Sequence, residues 1–149
     1  MTDPRIAALD RVLEVTVLLG RDMTTSLTAA GLTVARTTLL WRLRAAGPST
    51  QRALADALGV SARNVTGLVD GLAGAGLVTR EPHPTDRRAT LVTLTASAEG
   101  LLAEMAAGQA GLAEQLFGGL SPERLDGLVS ALDEVLERLR ALVPGGAAS

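Results

Sequence analysis

The chain has no cysteine, no lysine and no tyrosine, and its 149 residues include one tryptophan, one phenylalanine and one histidine. Without cysteine there is no disulfide framework, no thiolate metal site and no thiol-based sensing of oxidants. A single histidine, His83, rules out a histidine-rich metal site. The same shortage leaves too few parts for a Ser/His/acid set or a metal-assisted hydrolase. With no phosphate-cradling loop or convergent acid pair either, an enzyme is not expected and no cofactor is called for. No apolar run reaches the length of a membrane span. The start, MTDPRIAALDR, carries acids and lacks an apolar leader core, so the cytoplasm is the default compartment.

What remains is aliphatic. Apolar residues make up 47% of the chain but aromatics only 1%, so the core must be built from Leu, Val and Ala, a composition that favours helices. The net charge of −2 conceals a marked asymmetry. Residues 36–88 hold eight arginines against four acids, a net of +4, whereas residues 1–35 carry −1 and residues 89–149 carry −5. Such a distribution confines any polyanion contact to the middle of the chain; the competing reading is a mixed, solubilising surface.

Start and stop signals divide the chain into helices. The first runs from Asp3 or Pro4 to about Ala30, with Gly31 as its stop. Thr33 opens a second, which ends at Gly47-Pro48, and Ser49 or Thr50 caps a short third over QRALADAL. Leu54, Ala55, Leu58, Gly59, Val60, Val65 and Leu68 then follow a helix-turn-helix pattern. Two helices crossing through a short turn need a small residue at the approach, here Ala55, and a turn residue tolerant of positive φ, here Gly59. Ser61 caps the following helix, on which Val65, Leu68, Val69 and Leu72 form an inward stripe. Its other face carries Arg63, Asn64, Thr66, Gly67 and Asp70, and polar residues near an exposed helix start are what reading base edges in a major groove requires.

After Gly76 the period changes. Leu77–Glu81 and Ala89–Thr95 have the β-branched character of strands, and Pro82-His-Pro-Thr-Asp-Arg-Arg88 between them makes a stiff, basic turn. A hairpin in this position is a wing. Arg80, Arg87 and Arg88 join Arg63, Asn64 and Thr66 as candidate DNA-contact residues, because guanidinium groups are drawn to the negative potential of a narrow minor groove, and His83, between two prolines, is placed to meet solvent or phosphate. Thr95 caps a long fifth helix ending near Gly118-Gly119, and Ser121-Pro122-Glu123 opens the last. In that helix Leu125, Leu128, Leu132, Val135, Leu139 and Leu142 are spaced 3-4-3-4-3, a seam suited to a second subunit or to packing within the chain.

The run from residue 47 to residue 95 resembles the MarR transcriptional regulators. The wing signature of that family, Asp-x-Arg, five residues, then Leu-Thr, stands complete as Asp86, Arg88, Leu94 and Thr95, and the flanking helices have the family's order and lengths. The resemblance implies a mainly α fold with a small β-hairpin wing. About residues 33–95 would form a winged helix-turn-helix lobe, residues 3–31 and 96–143 dimerisation helices, and residues 144–149 a frayed tail, all within one MarR-type domain. It also implies a homodimer on double-stranded DNA with a palindromic operator, and a repressor that in many members releases DNA when a small, often anionic aromatic effector binds. Ser61, Arg63, Asn64 and Thr66 match recognition-helix contact positions, Arg88 matches the minor-groove arginine, and Asp86 matches the acid that orients it.

Two departures narrow the comparison. The cysteine- and metal-sensing branches of the family are excluded by composition, and few aromatics remain to stack on a ligand. Trp41 lies on the second helix with Arg42 and Arg44 nearby, and an aromatic beside cations is able to hold an aromatic carboxylate. Trp41, Arg44 and Phe117 are therefore candidate ligand contacts, with a purely packing role as the alternative. A winged helix used for protein contact is the remaining rival, and the presence of Arg63, Arg87 and Arg88 argues against it.

Overall fold

The computed structural model describes Met1 and residues 3–143; the tail read as frayed, residues 144–149, lies outside the described residues. In chain order the elements are α1 (Pro4–Ala29), α2 (Val34–Ala46), β1 (Ser49–Thr50), α3 (Gln51–Leu58), α4 (Ala62–Gly74), β2 (Val78–Pro82), β3 (Thr90–Leu94), α5 (Ala96–Phe117) and α6 (Pro122–Leu142). The fold is mostly helical with a small antiparallel sheet, as expected. Among the described residues no helix is long and apolar enough to cross a membrane. The chain separates into two compact units, the first spanning Met1–Thr38 and the second beginning at Leu39.

In the first unit, Asp3 caps α1 by accepting the Arg5 N–H at 2.8 Å, and Pro4 opens the helix where its missing N–H costs nothing. Leu27 is buried, but Ile6, Leu9, Leu13 and Val17, at spacings of three and four, are each more than half exposed.

The second unit holds the larger core. Leu39, Leu40 and Leu43 of α2, Leu54 of α3, Val65, Val69 and Leu72 of α4, Val92 of β3 and Leu102 of α5 are all buried. The sheet has the order β1-β3-β2, so β3 is central. Register pairs Val78 with Leu94 and Pro82 with Thr90 on one side, and Ser49 with Val92 on the other. Pro82 lies on an edge strand, where its missing N–H breaks no ladder. From the sequence, Ser49 or Thr50 is expected only to start a helix. Thr50 does cap α3, accepting the Ala53 N–H at 3.1 Å, but the pair also forms the third strand.

Thr95 joins three elements. Its hydroxyl donates to the Gly76 carbonyl at 2.7 Å and accepts the Ala98 N–H at 3.2 Å, while its own N–H donates to the Leu77 carbonyl. One residue thus caps α5 and fixes the end of α4 to the base of the sheet. Thr95→Ala is expected to cost about 1–2 kcal/mol, which a thermal melt would register as a fall of roughly 2–8 °C; Thr95→Ser should restore most of it.

On α6 none of the residues is buried, and Leu128, Leu132, Val135, Leu139 and Leu142 of the apolar seam are exposed. Ser121 caps this helix as the sequence predicts, accepting the Arg124 N–H at 3.3 Å.

Candidate nucleic-acid interface

The candidate surface is built from the turn between α3 and α4. Gly59 adopts φ 66° and ψ 31°, a left-handed conformation that a side chain would strain. Its neighbour Val60 returns an N–H to the Ala55 carbonyl at 3.1 Å, closing α3. Ser61, in extended conformation, then starts α4 and accepts the Asn64 N–H on its hydroxyl at 3.1 Å. Val65, Val69 and Leu72 are fully buried, which turns Ser61, Arg63, Asn64 and Thr66 outward. Arg63 lies in the first turn, where unpaired backbone N–H groups and the helix dipole also favour an anion.

The wing is held by its own side chains. The His83 N–H donates to the Ala89 carbonyl at 3.2 Å, closing the loop between β2 and β3. The His83 ring turns back into that loop: Nδ1 accepts the N–H groups of Thr85 at 3.2 Å and Asp86 at 3.0 Å. An accepting Nδ1 leaves the ring proton on Nε2. Asp86 Oδ1 accepts the backbone N–H of Arg88 at 3.0 Å. Asp86 thereby fixes the main chain at Arg88. Arg87 and Arg88 are both exposed at this tip.

Two further predicted contact residues, Arg80 and Thr66, have internal partners. Arg80 donates from Nε to Gln51 Oε1 at 3.1 Å and from Nη2 to Asp70 Oδ1. The Gln51 amide nitrogen donates to Thr66 Oγ1 at 3.0 Å, and Thr66 Oγ1 donates to the Ala62 carbonyl. Sequence reasoning missed Gln51 as a member of this group. A signal was present for Arg80: residues two apart on a strand share a face, and Val78 is buried, so Arg80 lies on the face turned toward the helices.

Of the ligand candidates, Trp41 and Arg44 lie on α2 and Phe117 on α5. Trp41 is half-buried, with the Arg44 guanidinium 5.5 Å from its ring centroid. Arg42 is committed elsewhere, donating to the Ala57 carbonyl at the C-terminal end of α3 at 3.2 Å, where a cation complements the helix dipole. Phe117 is exposed in the last turn of α5.

A helix-turn-helix is followed here by a wing with arginines at its tip. The MarR family model matches residues 32–90, which takes in α2 to α4 and the wing. Over that region the chain is similar to the MarR family. It is 36% identical over 102 residues to an uncharacterised HTH-type transcriptional regulator, YcgE, of Bacillus subtilis, covering 68% of this chain and 58% of that protein. It is 33% identical over 86 residues to the HTH-type transcriptional repressor YetL of the same organism, covering 58% and 52%. The chain thus spans little more than half the length of these curated relatives. Among solved structures it is similar to AbsC, a MarR family transcriptional regulator from Streptomyces coelicolor, with a TM-score of 0.70 and 28% identity over 95% of this chain and 97% of that one. All three carry the names of transcriptional regulators.

Proposed function

We propose that the protein is a sequence-specific transcriptional regulator, a homodimer that binds a palindromic operator in double-stranded DNA as a repressor. The observation that carries this reading is the pair of exposed arginine positions, Arg63 on the first turn of α4 and Arg88 at the wing tip, within one compact unit. Residues 33–95 form the reading lobe in this account. The exposed apolar faces of α1 and α6 supply the dimer contacts, since stripes of that size are covered in a stable soluble protein. Two lobes related by a twofold axis read two half-sites, hence the palindrome. Trp41, carrying Arg44 over its ring, is where a small anionic aromatic effector binds, and the protein acts in the cytoplasm, where the operator is.

The two arginines should fail differently. Arg63→Ala is expected to cost about 1–3 kcal/mol of binding and to relax preference at one position per half-site. Arg88→Ala should weaken binding across operator variants, with any lost preference confined to A·T content at the flanks. Both variants should melt like the parent, because both side chains are exposed. Fluorescence anisotropy over a set of operator variants separates these patterns; full affinity in Arg88→Ala would remove the wing from the account.

A further inference from the structure

The chain of contacts through Arg80 has a consequence for how the wing and the recognition helix act together. Four residues from three elements take part: Asp70 and Thr66 on α4, Gln51 at the start of α3, and Arg80 on β2. Thr66 and Asp70 are four apart on α4 and so share a face. The Gln51 amide is oriented by both neighbours, its oxygen accepting from Arg80 and its nitrogen donating to Thr66. Reversing that amide would set donor against donor at Arg80. We infer that Arg80 is a positioning residue, which through Asp70 and Gln51 fixes the wing strand against the recognition helix, and is not itself a DNA contact. The inference rests on the proposed DNA reading.

Three considerations carry it. Arg80 has its charge answered by a carboxylate, so a phosphate approaching it would also meet Asp70. The guanidinium fork, with Nε on one partner and Nη2 on another, is a geometry that a lysine ammonium does not reproduce. The pair is partly open to solvent, with side-chain exposures of 35% for Arg80 and 62% for Asp70, so it adds little to global stability. What it does constrain is relative placement: α4 and the wing carry separate reading groups, and a fixed angle between them lets both engage one half-site without an ordering cost at binding.

The sign of one substitution separates positioning from contact. If Arg80 contacted phosphate, Asp70→Ala would free that arginine and remove a negative charge from the DNA-facing surface, so affinity would rise. The positioning role predicts the reverse, a fall of about 3–10-fold in both Asp70→Ala and Arg80→Ala. The double variant should be no worse than either single one. The slope of log affinity against log salt should stay at the parent value in Arg80→Ala, whereas loss of a phosphate contact in each lobe would make it shallower by about one unit per contact. Arg80→Lys should recover only part of the loss.

The test is anisotropy on the full-length protein with its selected operator, paired with amide hydrogen exchange on the same variants without DNA. Several-fold faster exchange at the β2–β3 amides in both single variants, with lower affinity at unchanged salt slope, supports the inference. Tighter binding by Asp70→Ala, a shallower slope in Arg80→Ala, or unaltered exchange overturns it. Absence of DNA binding by the parent protein would overturn the regulator reading, while the exchange data would still decide whether the network holds the wing.

Discussion

Raising the salt concentration from 50 to 200 mM is expected to weaken operator binding by about a thousandfold. The protein carries a net charge of −2, so attraction to DNA depends on the local excess of arginine in residues 36–88. Each phosphate neutralised releases condensed counterion, and affinity falls with salt at a slope of about −0.9 per phosphate. Arg63, Arg87 and Arg88 in each of two lobes would neutralise about six phosphates, which gives a slope of about −5 and the loss stated. Were Arg80 a further contact in each lobe, the slope would steepen toward about −7. The acidic segments outside residues 36–88 oppose approach of the polyanion, which makes the arginine contribution indispensable. Anisotropy titrations at four or five salt concentrations measure the slope. An affinity constant over that range would mean that the basic segment is not the contact surface.

The largest effect on stability is expected from Leu72→Ala. Leu72 is fully buried on the inner stripe of α4 with Val65 and Val69, and its carbonyl accepts the Leu77 N–H at 2.9 Å across the turn that follows the helix. Truncating it removes the transfer free energy of the lost methyl groups and leaves a cavity that neighbouring Leu and Val side chains fill only in part. A cost of about 2–5 kcal/mol follows, a large fraction of the 5–15 kcal/mol typical of a folded domain. Because α4 carries Arg63 and Asn64, binding should be lost in step with folding. Denaturant unfolding followed by circular dichroism gives the energy; a midpoint within error of the parent would show that α4 is not anchored by this stripe. Arg63→Ala and Arg88→Ala supply the contrast, since they are expected to alter binding and leave unfolding unchanged.

Local signals make most of the fold readable from the sequence. Asp3-Pro4, Thr50, Ser61, Thr95 and Ser121-Pro122 announce helix starts by short-range hydrogen bonds, and each caps its helix in the structure. Gly31, Gly47, Gly59 and Gly76 all take positive φ at the predicted stops, a requirement visible in residue type alone. The wing is legible from its prolines and from the change to a two-residue period. Strand β1 is not, because two residues carry no periodicity and Ser49-Thr50 also satisfies the rules for a helix start.

The site is less legible, for a different reason. Burial of Val65, Val69 and Leu72 is a property of helix period, so the outward placement of Arg63 and Asn64 can be inferred. Which side chains pair is decided by tertiary approach: Arg80 meets residues 10 and 29 positions away, and Arg42 meets one 15 away. Charge tallies treat every arginine alike and so count both as available cations. Side-chain to main-chain bonds within the wing, from His83 and Asp86, fall between these cases. Their short span is the reach of a turn, yet residue type alone does not separate such a bond from an outward-facing role.

Selection of binding sites from a library of random DNA duplexes tests the central claim most directly, because the operator emerges from the experiment and need not be assumed. The account predicts enrichment of a palindrome whose half-sites lie about 10–10.5 bp apart centre to centre, or near a multiple of that distance, so that both lobes face one side of the duplex. Recovery of sequences no different from the starting library, or of a single half-site with no inverted partner, would contradict it.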